Sequence, residues 1–292
     1  MQRHPALLPF AATALGIATF SVMDVAMKSA SIAVGVYTAL LLRCAIGSAV
    51  MLPIWLIGGG RWPAPAVFRV HLIRSAVSAA MATLFFWGLV RTPIAEAIAL
   101  SFISPLIALY LASALLGETV GRRAVFASVL GLVGVAVIAF APGHASGPPR
   151  SALGMTAVLA SAVFYAWNLI LQRQQAQAAD PREVAFFQNF LVGLVLILAA
   201  PWLFQVPDLP VLGTITLAAA LVTASLMLLA WAYARAEAQA LVPLEYTAFI
   251  WAALFGWLWF GERVTSATLA GAALIVVGCL IATRTRTEQT AL

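Results

Sequence analysis

Two carboxylates and one ammonium group lie inside segments that are otherwise apolar. Asp24 and Lys28 stand four residues apart near the amino terminus, and Glu245 stands late in the chain. An ionisable side chain in such a segment is costly and usually faces a cavity or pathway, where it can bind an ammonium group or carry a proton. The structural alternatives are ion pairs, Asp24 with Lys28 and Glu245 with Arg74 or Arg235.

The segments that hold these groups have the composition of membrane spans. Of the 292 residues, 63% are hydrophobic and 9% are charged, whereas a soluble domain carries about 25% charged residues. About 20 apolar residues in a helix cross the hydrocarbon core. The hydropathy predicts an all-α membrane protein with ten spans, at about 6–27, 34–57, 70–90, 94–116, 124–141, 151–171, 184–204, 211–233, 241–260 and 266–283.

The ten spans consist of one five-span pattern written twice, at a constant offset of 144 residues. The matching pairs are Phe20 and Phe164, Asp24 and Asn168, Lys28 and Gln172, Trp87 and Trp231, Arg91 and Arg235, Gly117-Glu118 and Gly261-Glu262, and Gly134 and Gly278. We place the first copy at residues 1–144 and the second at 145–292. Because each copy has an odd number of spans, the second must be inverted in the membrane relative to the first.

The positive residues predict the orientation. With the amino terminus inside, eleven of the sixteen cationic residues face the cytoplasm, four face outside and Arg43 lies within a span. Cationic loops are retained on the cytoplasmic side. We therefore expect a multi-pass protein of the bacterial inner membrane with both termini cytoplasmic. The net charge of +6 is mostly this bias, and it does not indicate a nucleic-acid partner.

Polar and small residues recur at spacings of three and four along several spans, which places them on single helical faces. Span 6 carries Ser161, Tyr165, Asn168 and Gln172, and span 1 carries Ile17, Ser21, Asp24 and Lys28 in matching positions. Such faces predict a central cavity. Its expected substrate-binding residues are Ser21, Asp24, Ser78, Ala82, Phe86, Ser101, Tyr165, Trp167, Asn168, Thr223, Met227, Glu245 and Tyr246.

Three features of this predicted cavity bear on mechanism. Asp24 and Glu245 are candidates for proton coupling, since both are carboxylates within spans. The aromatic rings suit stacking on a planar ligand, although packing in the core is their alternative role. Pro105 and Pro243 predict helix kinks in spans 4 and 9, because proline frees a backbone carbonyl for a ligand or hinge. A static kink is the alternative there.

Several motifs resemble a known family. The residues Phe260-Gly261-Glu262-Arg263-Val264, with Gly271 and Gly278-Cys279-Leu280-Ile281, resemble the end of an EamA domain of the drug/metabolite transporter superfamily. The first copy looks similar from Arg74-Ser75 through Arg91-Thr92-Pro93 and Ser101-Phe102-Ile103-Ser104-Pro105 to Gly117-Glu118. Ala127 departs from the pattern, because its counterpart is Gly271, so looser packing is expected there.

The resemblance implies a transporter that works by alternating access, with spans 1, 3, 4, 6, 8 and 9 around a central cavity. The chain resembles the aromatic amino acid exporters of the superfamily, which implies export of amino acids, aromatic and other neutral ones first. Uptake or exchange of another organic solute, such as an adenosine-containing metabolite, is the alternative, and a passive solute channel is a further one. Fold alone does not fix the substrate.

Other classes of function lack their motifs. The sequence has no His-Glu-x-x-His, no Gly-x-Ser-x-Gly and no Walker loop, so we expect no enzymatic activity. Cys44 and Cys279 both fall within apolar spans, where a free cysteine behaves as a small apolar residue. We expect no cofactor and no metal. The expected partners are a small-molecule substrate and the lipid bilayer, and transport requires no oligomer.

Overall fold

The computed structural model describes residues 7–116, 122–141, 151–233, 235, 241 and 244–290, and these form helices without any strand. In chain order the helices are α1 Leu7–Val34, α2 Val36–Ile57, α3 Pro65–Leu89, α4 Ile94–Ser101, α5 Ser104–Leu116, α6 Arg122–Phe140, α7 Ala152–Ala178, α8 Pro181–Ile197, α9 Ala200–Leu203, α10 Leu209–Tyr233, α11 Ala248–Phe260 and α12 Ser266–Thr290. Helices α4 and α5 together form one candidate span, Ile94–Leu111, and α9 follows α8 after two turn residues.

Six helical segments are long and apolar enough to cross a membrane, namely Leu8–Val34, Val36–Ile57, Pro65–Leu89, Ile94–Leu111, Ala152–Gln172 and Leu209–Tyr233. Three shorter apolar helices, at Val125–Phe140, Ala248–Phe260 and Ser266–Ile281, accompany them. The predicted all-α membrane fold is confirmed. Residues Gly117, Glu118 and Pro243 lie outside the described part of the chain.

Some helices extend beyond their predicted spans. The structure continues α1 to Val34 and α7 to Ala178, whereas hydropathy ended the two spans at residues 27 and 171. Both predicted ends stopped at a polar residue, Lys28 in one copy and Gln172 in the other. A helix does not have to end where its side chains become polar, because other parts of the protein can satisfy them.

The packing of the helices confirms the inverted repeat. The most extensive contacts of α1 are with α10, and the related helices α7 and α3 pack together in the same way. Helices α6 and α12, which are counterparts of each other, also pack together, as do α2 and α8. Pairs of counterparts that contact each other indicate a pseudo-two-fold axis between the copies.

Small residues bring α6 and α12 close together at two related points. A Cβ atom added to Gly134 would lie 2.6 Å from the carbonyl oxygen of Gly271, and one added to Gly278 would lie 2.7 Å from that of Ala127. Close approach through small residues is a common way for membrane helices to associate. The expectation of looser packing at Ala127 is wrong, because Gly278 supplies the space on the opposite helix.

Spans 4 and 9 are each interrupted, and the two interruptions lie at corresponding positions of the two copies. Turns replace the helix at Phe102–Ile103 and at Tyr246–Thr247, positions that differ by 144 residues. Both turns contain a backbone hydrogen bond of the 3₁₀ type, to the third preceding residue. These bonds join Ile103 N–H to Leu100 O (3.3 Å) and Thr247 N–H to Leu244 O (2.9 Å). The repeat therefore encodes the interruption itself.

Pro105 follows the first interruption and does not leave a free carbonyl. Its missing N–H would have bonded to the carbonyl of Ser101, but the Ser104 hydroxyl donates to that oxygen over 2.7 Å. The predicted free carbonyl for a ligand is therefore wrong at this point. The second predicted kink, at Pro243, falls outside the described residues.

Candidate functional site

The polar face predicted for α1 is buried inside the protein. Ser21, Asp24 and Lys28 have relative exposures of 5%, 3% and 3%. The related face of α7 is buried at Ser161 and Asn168. The spacing of three and four residues therefore identified a buried face of α1, whereas on α7 Tyr165 and Gln172 of the same stripe are exposed.

Lys28 makes its ion pair across the repeat and not along its own helix. Its Nζ donates to Glu262 Oε1 over 2.5 Å and to the carbonyl of Thr92 over 2.8 Å. Glu262 Oε2 accepts from the backbone N–H of Ile94 over 2.6 Å. The expected local pair between Asp24 and Lys28 is wrong, because Glu262 holds the ammonium group.

The chain around Glu262 is shaped for this contact. Gly261 ends α11 with φ 65°, and the N–H of Glu262 bonds to the carbonyl of Gly256 over 3.1 Å. The N–H of Gly261 bonds to the carbonyl of Trp257 over 3.0 Å, which is the αL type of helix end, in which glycine adopts the left-handed conformation at low cost. A Cβ on Gly256 would lie 2.8 Å from Glu262 Oε2, so glycine there leaves space for the carboxylate.

Asp24 lies one turn before Lys28 in a different environment. Neither its Oδ1 nor Nε of Arg43 on α2 has a hydrogen-bond partner within the part of the chain that the structure describes. Asp24 is thus a buried carboxylate with unused hydrogen-bonding capacity, which suits a proton or cation.

Asn168, the counterpart of Asp24, belongs to a hydrogen-bond network. Its Oδ1 accepts from Arg74 Nε over 3.1 Å and from the Ser78 hydroxyl over 3.0 Å. Arg74 also donates to the side chain of Gln175. The guanidinium of Arg74 therefore donates to two neutral side-chain amides, those of Asn168 and Gln175. Arg74 is not the ion partner of Glu245.

The network continues from Gln175 toward α8. Gln175 contacts Nδ1 of His71, and Nε2 of His71 lies 2.9 Å from Glu183 Oε1. The His71 ring stacks on Phe187, with centroids 5.1 Å apart. These contacts tie α3, α7 and α8 together at the end of the molecule where α7 terminates.

Glu245 lies in an accessible group of tyrosines at that same end. Tyr233, the last residue of α10, donates its hydroxyl to Glu245 Oε1, and Tyr165 of α7 lies within electrostatic range of the carboxylate. Glu245 is exposed, and Tyr165 is 38% exposed. Three polar side chains from three segments are therefore accessible in this region.

Arg235 does not neutralise Glu245. Its guanidinium lies 4.3 Å from the Trp231 ring and donates to the carbonyl of Trp231 over 3.2 Å. The expected ion pairs of Glu245 with Arg74 or Arg235 are therefore wrong. Among the described cations, neither of these two candidates pairs with it, and a phenol occupies one of its oxygens.

Phe102 and Tyr246 meet where the interruptions of the two copies come together. Their rings are 5.2 Å apart and nearly perpendicular, at 89°, the edge-to-face geometry that aromatic rings prefer. The Cys279 thiol donates to the carbonyl of Phe102 over 3.1 Å. Since Phe102 and Tyr246 are counterparts, this contact lies on the pseudo-two-fold axis.

The remaining predicted cavity residues are not all brought together. Ala82 and Phe86 are buried at 7% and 4%, and Met227 is 67% exposed. Thr223 and Ser101 donate to carbonyls of their own helices, those of Ala219 and Ala97. Trp167 is 40% exposed and lies on the outer face of α7, 100° from Asn168, so it does not join Tyr165.

Sequence reasoning missed five polar residues of these clusters, namely Tyr233, Gln175, Glu262, His71 and Glu183. Glu262 was already distinguished by its Gly-Glu repeat, but its pairing with Lys28 joins residues 234 positions apart. Gln175 stands seven residues after Asn168, on the same face. Extending the predicted polar stripe by one turn, from Gln172 to Gln175, would have found it.

The fold and these buried polar groups define a helical membrane transporter built from two inverted copies. The sequence profile of the EamA-like transporter family matches residues 9–140 and 152–284. The chain belongs to the EamA-like transporter family, and it is a multi-pass membrane transporter of small metabolites. The expected membership of this family is confirmed.

Three relatives show the range of substrates among similar proteins. The chain is 26% identical to the pseudopaline exporter CntI of Pseudomonas aeruginosa, over 92% of this chain and 93% of the relative. It is 26% identical to a riboflavin transporter of Vibrio cholerae, over 92% and 91%. It is 24% identical to an S-adenosylmethionine uptake transporter of Rickettsia bellii, over 91% and 90%.

A solved structure supports the fold. A protein crystal structure with 22% sequence identity superposes with a TM-score of 0.61, covering 99% of both chains. At this identity the likeness concerns the fold alone. The similar proteins named above include an exporter and an uptake transporter, so family membership does not choose between the two directions.

Proposed function

We propose that this protein exports small organic metabolites across the bacterial inner membrane, and that these are amino acids, aromatic and other neutral ones first. It works by alternating access, with both termini in the cytoplasm and its two copies at residues 1–144 and 145–292. The observation that carries the substrate class is the accessible cluster of Glu245 with Tyr233 and Tyr165. Its shape and charge suit a solute with an ammonium group and a ring.

The cluster supports an ammonium-bearing solute for two reasons. A carboxylate accepts strong charge-assisted hydrogen bonds from an ammonium group, and Glu245 is held by a phenol and not by a described cation. The tyrosine rings offer faces for cation–π contact and for stacking against a planar side chain. Ser21 would add a hydroxyl group along the pathway, whereas the hydroxyl groups of Ser78 and Thr223 donate to Asn168 and to the carbonyl of Ala219.

Proton coupling is part of the proposal, through Asp24 and Glu245. Asp24 has a buried oxygen without a hydrogen-bond partner within the described residues, and Glu245 reaches solvent. One carboxylate inside the packed helices and one that is accessible suit exchange of a proton for a cationic group. The similarity to the pseudopaline exporter supports export as the direction.

A second candidate is uptake or exchange of an adenosine-containing metabolite. The similarity to the S-adenosylmethionine uptake transporter favours it, and the Tyr165 ring could stack on a purine as well as on an indole. A passive channel is the third candidate. It fits less well with an inverted repeat, because the repeat provides two exchangeable states.

Counterflow in proteoliposomes tests these candidates together. Vesicles are preloaded with unlabelled tryptophan, phenylalanine, threonine or S-adenosylmethionine, and entry of the labelled solute is followed with and without a proton gradient. We expect a transient, saturable accumulation with tryptophan and phenylalanine that depends on the gradient. Accumulation with S-adenosylmethionine alone would favour the second candidate. Equal, non-saturating entry of every solute would indicate a channel.

A further inference from the structure

Lys28 and Glu262 join three segments at one end of the molecule. The ammonium group of Lys28 in α1 reaches the carbonyl of Thr92, between α3 and α4, and the carboxylate of Glu262, between α11 and α12. Glu262 in turn accepts from the N–H of Ile94. Lys28 also lies 5.1 Å from the centre of the Phe260 ring. The pair is 3% and 4% exposed, so this end is closed.

The opposite end has a different chemistry at the related positions. Gln172 replaces Lys28 and Ala112 replaces Gly256, whose missing side chain leaves space for Glu262. Gln172 is exposed, whereas Lys28 is 3% exposed. Without a cation at residue 172, the related positions cannot form the ion pair.

Residues that occupy related positions in the two copies also differ in exposure between the two ends. Ser21 is 5% exposed and its counterpart Tyr165 is 38% exposed; Leu89 is fully buried, while its counterpart Tyr233 is partly exposed. Helices α1 and α3 contact each other, but the related helices α7 and α10 approach less closely. The residues at the Tyr165 end are therefore more accessible than their counterparts at the Lys28 end.

We infer that Lys28 and Glu262 form the gate that closes one end of the transport pathway and stabilises the state open at the other end. Taking two charges out of water roughly offsets their mutual attraction. A buried ion pair can therefore separate when water enters between its partners. Removing one partner is different, because it leaves an unpaired charge in the closed state and favours opening of that end.

The inference rests on the transport activity of the family and not on the substrate proposed above. Its test needs no substrate, so the two can fail separately. Two cysteine reporters, Ser21→Cys and Tyr165→Cys, occupy related positions on opposite sides of the axis. Ser21 lies seven residues from Lys28, about 10 Å along α1. Each reporter is placed in a background with Cys44→Ala and Cys279→Ala.

The measurement is the rate of maleimide labelling of each reporter in purified protein in nanodiscs. In the parent we expect rapid labelling at residue 165 and slow labelling at residue 21. In Lys28→Gln and in Glu262→Gln, labelling at residue 21 should rise about tenfold or more, while labelling at residue 165 falls. The reciprocal change indicates a gate, because a merely local loosening would not protect residue 165.

Two further variants distinguish the effect of losing the ion pair from the effect of losing one charge. The double variant Lys28→Gln/Glu262→Gln leaves no unpaired charge, so residue 21 should label more slowly than in either single variant. Arg263→Gln removes an exposed positive charge next to Glu262 and should leave both rates within about twofold. Lys28→Gln and Glu262→Gln break the same ion pair from opposite sides. The test can therefore be made with either one, provided that it elutes as a folded monodisperse species. Unchanged labelling at residue 21, or a rise at both reporters together, would overturn the inference.

Discussion

The two copies have nearly the same backbone design and different polar side chains on it. Their helices are interrupted at related residues, Phe102–Ile103 and Tyr246–Thr247. At three other pairs of related positions, the first copy has Ser21, Lys28 and Ser101, where the second has Tyr165, Gln172 and Glu245. The scaffold is symmetric and the chemistry is not.

This difference teaches how a duplicated protein can favour one of two related states. A symmetric scaffold allows either end to open, because exchanging the conformations of the two copies exchanges the ends. Side chains then determine which end is closed at rest. Here the charged pair holds the Lys28 end, while the carboxylate and tyrosines of the second copy remain accessible at the other end.

The largest expected effect concerns the closed end. Lys28→Ala should lower the free energy of unfolding by up to about 3 kcal/mol, because it leaves the Glu262 carboxylate buried with one backbone N–H as its partner. Gln172→Ala, at the related exposed position, should change it by less than about 0.5 kcal/mol. Thermal unfolding in detergent measures both. Equal losses in the two variants would contradict the asymmetry of the two ends.

The next effect concerns the accessible end. Glu245→Gln should raise the half-saturating concentration for counterflow about thirtyfold, because it removes the charge that would bind the ammonium group of the substrate. Its counterpart Ser101 donates to a carbonyl of its own helix, so Ser101→Ala is the matched control and should transport like the parent. Parent-like transport by Glu245→Gln would remove the carboxylate from the substrate pathway.

A smaller effect tests the symmetric half of the comparison. Gly134→Ala and Gly278→Ala should each lower the free energy of unfolding by roughly 1–2 kcal/mol, because each new methyl group would meet a carbonyl of the facing helix. The control is Gly213→Ala, where no atom lies within 4 Å, and it should cause no loss. Thermal unfolding is again the measurement. Very different losses at residues 134 and 278 would show that the α6–α12 interface is not symmetric.

The sequence predicted the scaffold well because hydropathy and repetition are properties of long segments. Ten spans, two copies and the buried face of α1 all follow from periods and offsets that hold over many residues. The Gly-Glu repeat even marked Glu262, since glycine ends α11 in the left-handed conformation. Features set by chain geometry were visible in the sequence.

The partners of the polar side chains could not be predicted in the same way. Lys28 has Asp24 four residues away, but a residue 234 positions along the chain holds it. Tyr233, the last residue of α10, contacts Glu245, which stands twelve residues further along the chain. Local spacing lists the candidates within one helix, whereas burial and the approach of other helices determine which contact forms.

The smallest predicted effect concerns the axis, where the two copies must contribute equally. Phe102→Leu and Tyr246→Leu should each remove an edge-to-face contact between rings 5.2 Å apart, and their coupling in a double-mutant cycle should be about 1 kcal/mol. Tyr246→Phe keeps the ring and is the control. Because each ring belongs to one copy, the coupling is a direct measure of how the copies hold each other at their interruptions. If the two losses were simply additive, the rings would not stabilise each other, and the symmetric centre of the scaffold would depend on the surrounding helices instead.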